Sequence, residues 1–184
     1  MKHKIVIIGA STGGPSLIKE LLQSLKKLSY TIVIAQHMKK EVLPFFISEL
    51  QASCPDLNIV TTPTQINLQI PSVLICAHSS IFTQTGSSLA LQTETTGQHF
   101  TPDINKLLLS FEPFTKQFDT TVIIMTGMGS DGVLGAKRLK NHGVKVISQD
   151  RNSSPLYGMP KAAYESGIVD EVLSFSEIKN YLQE

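Results

Sequence analysis

The stretch VIIGASTGGP, Val6–Pro15, decides how the rest of the chain is read. Ile5-Val6-Ile7-Ile8 is a continuous β-branched run closed by Gly9, the pattern of a strand buried on both faces. From Pro15 to Leu25 the apolar residues fall at Leu17, Ile18, Leu21, Leu22 and Leu25, a helical stripe with proline in its first turn. A buried strand that turns through glycines into a helix is the first unit of a parallel α/β sheet. The turn fits two chemistries. It can hold a dinucleotide phosphate, or it can present Ser11 as a nucleophile.

Working outward, the alternation continues. Thr31–Ala35 is predicted as a strand, Leu43–Leu50 as a short helix and Leu57–Thr61 as a strand, which completes β-α-β-α-β with right-handed crossovers. Val73–Cys76 is a further strand. Ile81–Thr85 and Leu89–Thr93 flank Gly86-Ser87-Ser88 and predict a β-hairpin inserted near residues 78–95. Then come a helix over Asp103–Phe111, a strand over Val122–Met125, a helix over Val133–Asn141 stopped by Gly143, and a strand over Val144–Ser148. A short strand over Val169–Val172 and a Ser174-capped helix to Tyr181 close the chain. There is no linker, repeat or low-complexity tract, so residues 1–184 are expected to form a single domain.

Composition narrows the function classes. The 184 residues are 41% hydrophobic and 17% charged with a formal net charge of +1, so nothing attracts nucleic acid or an anionic membrane in bulk. No run of apolar residues is long enough to span a bilayer, and the run before Gly9 is too short for a signal peptide. Cys54 and Cys76 sit in unrelated contexts and are expected as small buried hydrophobes in a reducing cytoplasm. The five histidines show no metal-ligand spacing, so no metal and no cofactor are expected.

Ligands of open parallel sheets bind beyond the carboxyl ends of the strands. Ser11 follows the first predicted strand, Gln36-His37-Met38 the second, Ala77-His78 the fourth, and Thr126-Gly127-Met128-Gly129-Ser130-Asp131-Gly132 the Val122–Met125 strand. Together these loops offer a hydroxyl, an imidazole and a carboxylate. Gly9-x-Ser11-x-Gly13 matches the strand-turn-helix pattern that exposes a nucleophilic serine. Its alternative is that Ser11 or Thr12 caps the helix. His37 can act as base or as a satisfied polar group at a strand end, with His78 as competitor. Asp131 can orient the imidazole or cap the helix starting near Val133, with Asp150 as second choice. A dinucleotide site wants G-x-G-x-x-G and an acid at the end of the second strand; the chain has G-x-x-x-G-G and Gln36-His37 there. A nucleotide-binding module and a small-ester serine hydrolase stay as alternatives. Against the latter stand the order Ser, His, acid and the place of the serine after the first strand.

Four stretches in order carry a resemblance. Ile8-Gly9-Ala10-Ser11-Thr12-Gly13-Gly14-Pro15, Gln36-His37-Met38, Thr126–Gly132 and Tyr157-Gly158-Met159-Pro160 resemble the catalytic domain of the CheB-type protein-glutamate methylesterases, which are also protein-glutamine deamidases. The resemblance implies a doubly wound α/β fold, its sheet mainly parallel with helices on both faces. It implies a triad of Ser11, His37 and Asp131, with Met128 lending a backbone N–H to the oxyanion and Thr12 beside the nucleophile. It also implies methylated glutamates on the cytoplasmic helices of methyl-accepting chemoreceptors as substrate. The protein is accordingly expected to be a cytoplasmic monomer with no direct membrane insertion.

Where the family has an N-terminal receiver domain, this chain begins just before its first strand, so a catalytic domain without a receiver is expected. An Ala-Pro-Gly-Asp loop of the family reads Cys76-Ala77-His78-Ser79-Ser80 here. Its Arg-Pro-Ser-Val-Asp stretch reads Phe100-Thr101-Pro102-Asp103-Ile104-Asn105, and the helix after His37 has Ser48-Glu49-Leu50 where an arginine is common.

Overall fold

A computed structural model describes residues 2–25, 27–67, 70–86, 88–94 and 101–184. At its centre is β1, Lys4–Ala10, whose inner residues are all fully buried. Ile5 and Ile7 face one apolar cluster while Val6 and Ile8 face another. Two covered faces explain why the run is continuous rather than alternating. Around β1 lie β2 (Thr31–Gln36), β3 (Ile59–Thr61), β5 (Ser72–Ile75), β8 (Asp119–Ile124), β9 (Lys145–Gln149) and β10 (Glu171–Leu173). They form a seven-stranded sheet in the order β10-β9-β8-β1-β2-β5-β3, and every pairing is parallel.

Helices cover both faces. The cluster around Val6 and Ile8 includes Ile18, Leu21 and Leu22 of α1 (Gly14–Ser24), Phe46 and Leu50 of α2 (Leu43–Ser53), and Phe175 and Ile178 of α6 (Phe175–Tyr181). On the opposite face lie Leu107, Leu108 and Phe111 of α3 (Ile104–Phe111), Ala136 and Leu139 of α4 (Val133–Lys140), and Met159 and Ala163 of α5 (Met159–Glu165). This is the doubly wound α/β architecture. Winding runs one way from β1 to β2 and the other way across β8, so the order reverses between β1 and β8, and there the carboxyl ends open a crevice.

The expected hairpin is present as β6 (Ser79–Thr85) and β7 (Ser88–Glu94), paired antiparallel. A two-residue strand, β4 (Thr64–Gln65), extends it to a three-stranded sheet. It packs on α3 through Phe82 and Phe111, ring centroids 4.7 Å apart. Ser87, His99 and Phe100 lie outside the described residues.

Some elements differ from those expected, and the last strand spans Glu171–Leu173 rather than Val169–Val172. The eighth strand begins at Asp119 rather than Val122, because the polar start Asp119-Thr120-Thr121 pairs with Lys4-Ile5-Val6 and Thr121 hydrogen-bonds the Tyr181 hydroxyl at 2.8 Å. The third strand is confined to Ile59–Thr61, because Leu57 N–H turns back to the Cys54 carbonyl at 3.1 Å and so belongs to the turn after α2. Helix α5 is unforeseen: its buried residues are Met159, Pro160 and Ala163, too short a stripe to show a period.

Candidate active site

Ser11 leaves the end of β1 in a turn held from three sides. Its N–H donates to the Thr126 carbonyl at 2.9 Å, and its own carbonyl accepts from Gly14 N–H at 2.8 Å and from the Gln36 side-chain amide at 2.9 Å. Gly13 completes the turn with φ +83°, a left-handed conformation that L side chains rarely adopt. A Cβ there would also lie 2.7 Å from Pro155 and 3.2 Å from Thr126 Oγ1. The glycines of this loop therefore make room for protein atoms rather than for a phosphate. Nor do Ser11 and Thr12 cap α1, whose N-cap is Gly13 with no side-chain hydrogen bond.

His37 follows β2, the strand beside β1, and its N–H donates to the Ala10 carbonyl at 2.9 Å. That register brings the imidazole over the serine: His37 Nδ1 lies 3.2 Å from Ser11 Oγ, and Nε2 lies 2.8 Å from Asp131 Oδ2. An ionised carboxylate only accepts, so the Nε2 proton donates to Asp131 and Nδ1 keeps the lone pair that faces the serine. The His37 and Asp131 side chains are 12% and 23% exposed, which keeps competing water largely away.

Asp131 does not cap the helix that follows it; the N-cap of α4 is Gly132. It reaches instead to the start of α3. Oδ2 accepts from Ile104 N–H at 2.9 Å, and Oδ1 accepts from Asn105 N–H at 2.9 Å and Gly132 N–H at 2.8 Å. A carboxylate at a helix N-terminus meets unpaired donors and the positive end of the helix dipole. Burial raises the Asp131 carboxyl, but the hydrogen bonds it accepts from His37, Ile104 and Asn105 outweigh it and hold the group below its ordinary value. It is a carboxylate at neutral pH.

The loop after β8 is braced from beneath. Thr126 is fully buried: its N–H donates to Gln149 Oε1 at 2.9 Å, and its hydroxyl donates to the Thr12 carbonyl at 2.9 Å. Gly127 bridges Tyr157, and its carbonyl accepts from Gly158 and Met159 N–H at 3.1 and 2.7 Å. The sequence places Thr126 and Gln149 after their strands but assigns neither a role; that each is a polar residue closing a buried strand is the signal for one. Above this brace Met128 is 70% exposed and lines a groove with Ser11, Thr12, His37, Asn105 and Asp131. A Cβ on Gly127 would sit 2.6 Å from the Ser11 Cβ and crowd Met159. Gly127→Ala is thus expected to cost about 1–3 kcal/mol in urea unfolding; an unchanged transition midpoint would refute this packing.

Ser11, His37 and Asp131 are brought together, with Thr12 and Met128 at the same groove. The competitors are placed elsewhere. His78, at φ 63°, follows β5 and lines neither groove beside the serine. Asp150 accepts from Ser153 N–H at 2.9 Å and serves its own loop. Cys54 and Cys76 are free and buried, as expected for small hydrophobes; burial pushes the Cys76 thiol up to about 12. Among the described residues, no cluster of His, Cys, Asp and Glu is arranged to hold a metal ion.

The family model for CheB methylesterase matches residues 6–182. The chain belongs to this family. It is 32% identical over 185 residues to protein-glutamate methylesterase/protein-glutamine glutaminase 5 of Geobacter metallireducens, covering 96% of this chain and 51% of that one. It is 34% identical over 183 residues to protein-glutamate methylesterase/protein-glutamine glutaminase 1 of Carboxydothermus hydrogenoformans, covering 96% and 53%. The chain thus spans about half the length of these curated relatives. The crystal structure of the Thermotoga maritima CheB methylesterase catalytic domain superposes with a TM-score of 0.83 at 26% identity, over 100% of this chain and 98% of that one.

Proposed function

We propose that this chain hydrolyses glutamate γ-methyl esters on the cytoplasmic helices of methyl-accepting chemoreceptors, using Ser11 as nucleophile, His37 as general base and acid, and Asp131 as orienting carboxylate. The observation that carries this reading is the unbroken contact chain from Ser11 Oγ through His37 Nδ1 and Nε2 to Asp131 Oδ2, at 3.2 and 2.8 Å. The names of the relatives support a methyl-esterified protein glutamate as the substrate, and the chemoreceptor helices are what the family resemblance of the four motifs implies.

Ser11 Oγ attacks the ester carbonyl as its proton passes to His37 Nδ1. Asp131 stabilises the resulting imidazolium through Nε2–H. The tetrahedral oxyanion is received by the backbone N–H groups of Thr12 and Met128, neither of which has an acceptor among the described residues. Losing one such donor typically costs about 3–4 kcal/mol of barrier. The C–O bond to methoxide breaks, the Nδ1 proton leaves with it as methanol, and an acyl-serine remains. Water then gives a proton to Nδ1 and its hydroxide to the acyl carbon. Ser11 departs with that proton and the glutamate carboxyl is released. A glutamine side chain would follow the same course with ammonia as leaving group. No cofactor takes part in this scheme.

Among the described residues, no helix is long and apolar enough to cross a membrane, which suits work on receptor helices from the cytoplasm. The test is methanol release from a receptor cytoplasmic fragment carrying isotopically labelled methyl esters. Release proportional to protein concentration is expected, and absence of labelled methanol would sink the substrate assignment.

A further inference from the structure

We propose that Gln36 is a positioning residue that locks the nucleophile turn to the strand end bearing the base. This rests on the reading of Ser11 and His37 given above. Gln36 closes β2 and is 1% exposed. Its Nε2 donates to the Ser11 carbonyl at 2.9 Å and to the His37 carbonyl at 2.8 Å. Both neighbours of that nitrogen are carbonyl oxygens, so the amide has one permitted orientation. Both amide protons are thereby committed to the backbones of the two residues whose side chains must meet.

The other end of the amide shows what this orientation sacrifices. Gln36 Oε1 is buried with no hydrogen-bond partner among the described residues. It lies against the backbone of Gly14, where an added Cβ would collide with it. A buried acceptor left unpaired is unfavourable, and a folded chain concentrates such locally unfavourable choices at functional sites. Methionine or leucine would fill the same volume without an orphan oxygen. What they lack is the pair of donors that holds Ser11 and His37 in register, and register here decides whether Nδ1 faces Oγ.

The test compares wild type, Gln36→Met and Gly14→Ala, the last leaving the glutamine in place but displacing its oxygen. A fluorophosphonate probe with mass spectrometry reads the Ser11 adduct, and methanol release from the methylated receptor fragment reads kcat and KM. Expected are an about 100-fold slower adduct rate and an equal fall in kcat for Gln36→Met, with KM within about threefold and a native thermal transition. Gly14→Ala should fall in the same direction. Labelling of both variants at the wild-type rate overturns the proposal, as does a loss confined to KM, or loss of the folded state in both variants. Wild type that forms no Ser11 adduct would instead refute the nucleophile assignment itself.

Discussion

Ser11→Ala is expected to lower methanol release by about 10⁴- to 10⁶-fold while shifting unfolding by less than about 1 kcal/mol. The two parts follow from different atoms. The hydroxyl is the only group the substitution removes, and its hydrogen bond is the 3.2 Å contact to His37 Nδ1. The bonds that hold the turn are all backbone bonds at this position: N–H to Thr126, carbonyl to Gly14 and Gln36. Alanine keeps them. The oxyanion donors also survive, so a small residual rate over water should remain, as it does when other triads lose a member. Thermal unfolding beside a single-turnover assay checks both halves. Near-normal turnover in a folded Ser11→Ala protein would mean that the ester is attacked by another group.

The parallel sheet was legible because covered strands read as unbroken apolar runs: Ile5–Ile8 and Thr31–Ala35 lie within their strands, and the Val73–Cys76 run is met by a strand at Ser72–Ile75. Starts of strands were less legible. Asp119-Thr120-Thr121 pairs with the first strand through its backbone, and its side chains carry no apolar signal. Helix α5 was missed for the converse reason, being too short to establish a period.

At the site, what could be read was which residues follow strands, since parallel topology delivers those to one edge. Why these residues meet could not be read. That depends on a one-residue register: Ala10 is paired with Gln36, so Ser11 and His37 leave the sheet side by side. In the sequence Gln36 reads as the absence of an acid, whereas in the structure it is the donor that joins both turns. The glycines were equally ambiguous. Gly13 and Gly14 are close to Pro155 and Gln36, and neither contact is visible without the fold.

Asp131→Asn is expected to lower turnover by about 10⁴-fold, more than the loss of one hydrogen bond would suggest. An amide has one acceptor oxygen where the carboxylate has two. At Asp131 both oxygens are committed: Oδ1 to the N–H groups of Asn105 and Gly132, Oδ2 to Ile104 N–H and His37 Nε2. The substituted oxygen goes where it meets two backbone donors, because these cannot change. Its NH2 then faces Ile104 N–H and His37. The imidazole is the one partner able to adapt, by moving its proton from Nε2 to Nδ1. That tautomer presents a donor to Ser11 Oγ and cannot take its proton. Stability should fall as well, by about 1.5–3 kcal/mol, since a charge-assisted bond to the first turn of α3 is lost. The pH dependence has a definite sign. The folded carboxyl sits below its ordinary value. Its contribution is therefore fully present above the unfolded value of about 4 and lost as pH falls through the lower folded one. The stability gap between wild type and Asp131→Asn should narrow on acidification below about pH 4. Thermal midpoints of both proteins from pH 6 downward check this, and a gap that stays constant to the acid limit would show that the carboxylate charge is not what holds α3 and His37 in place.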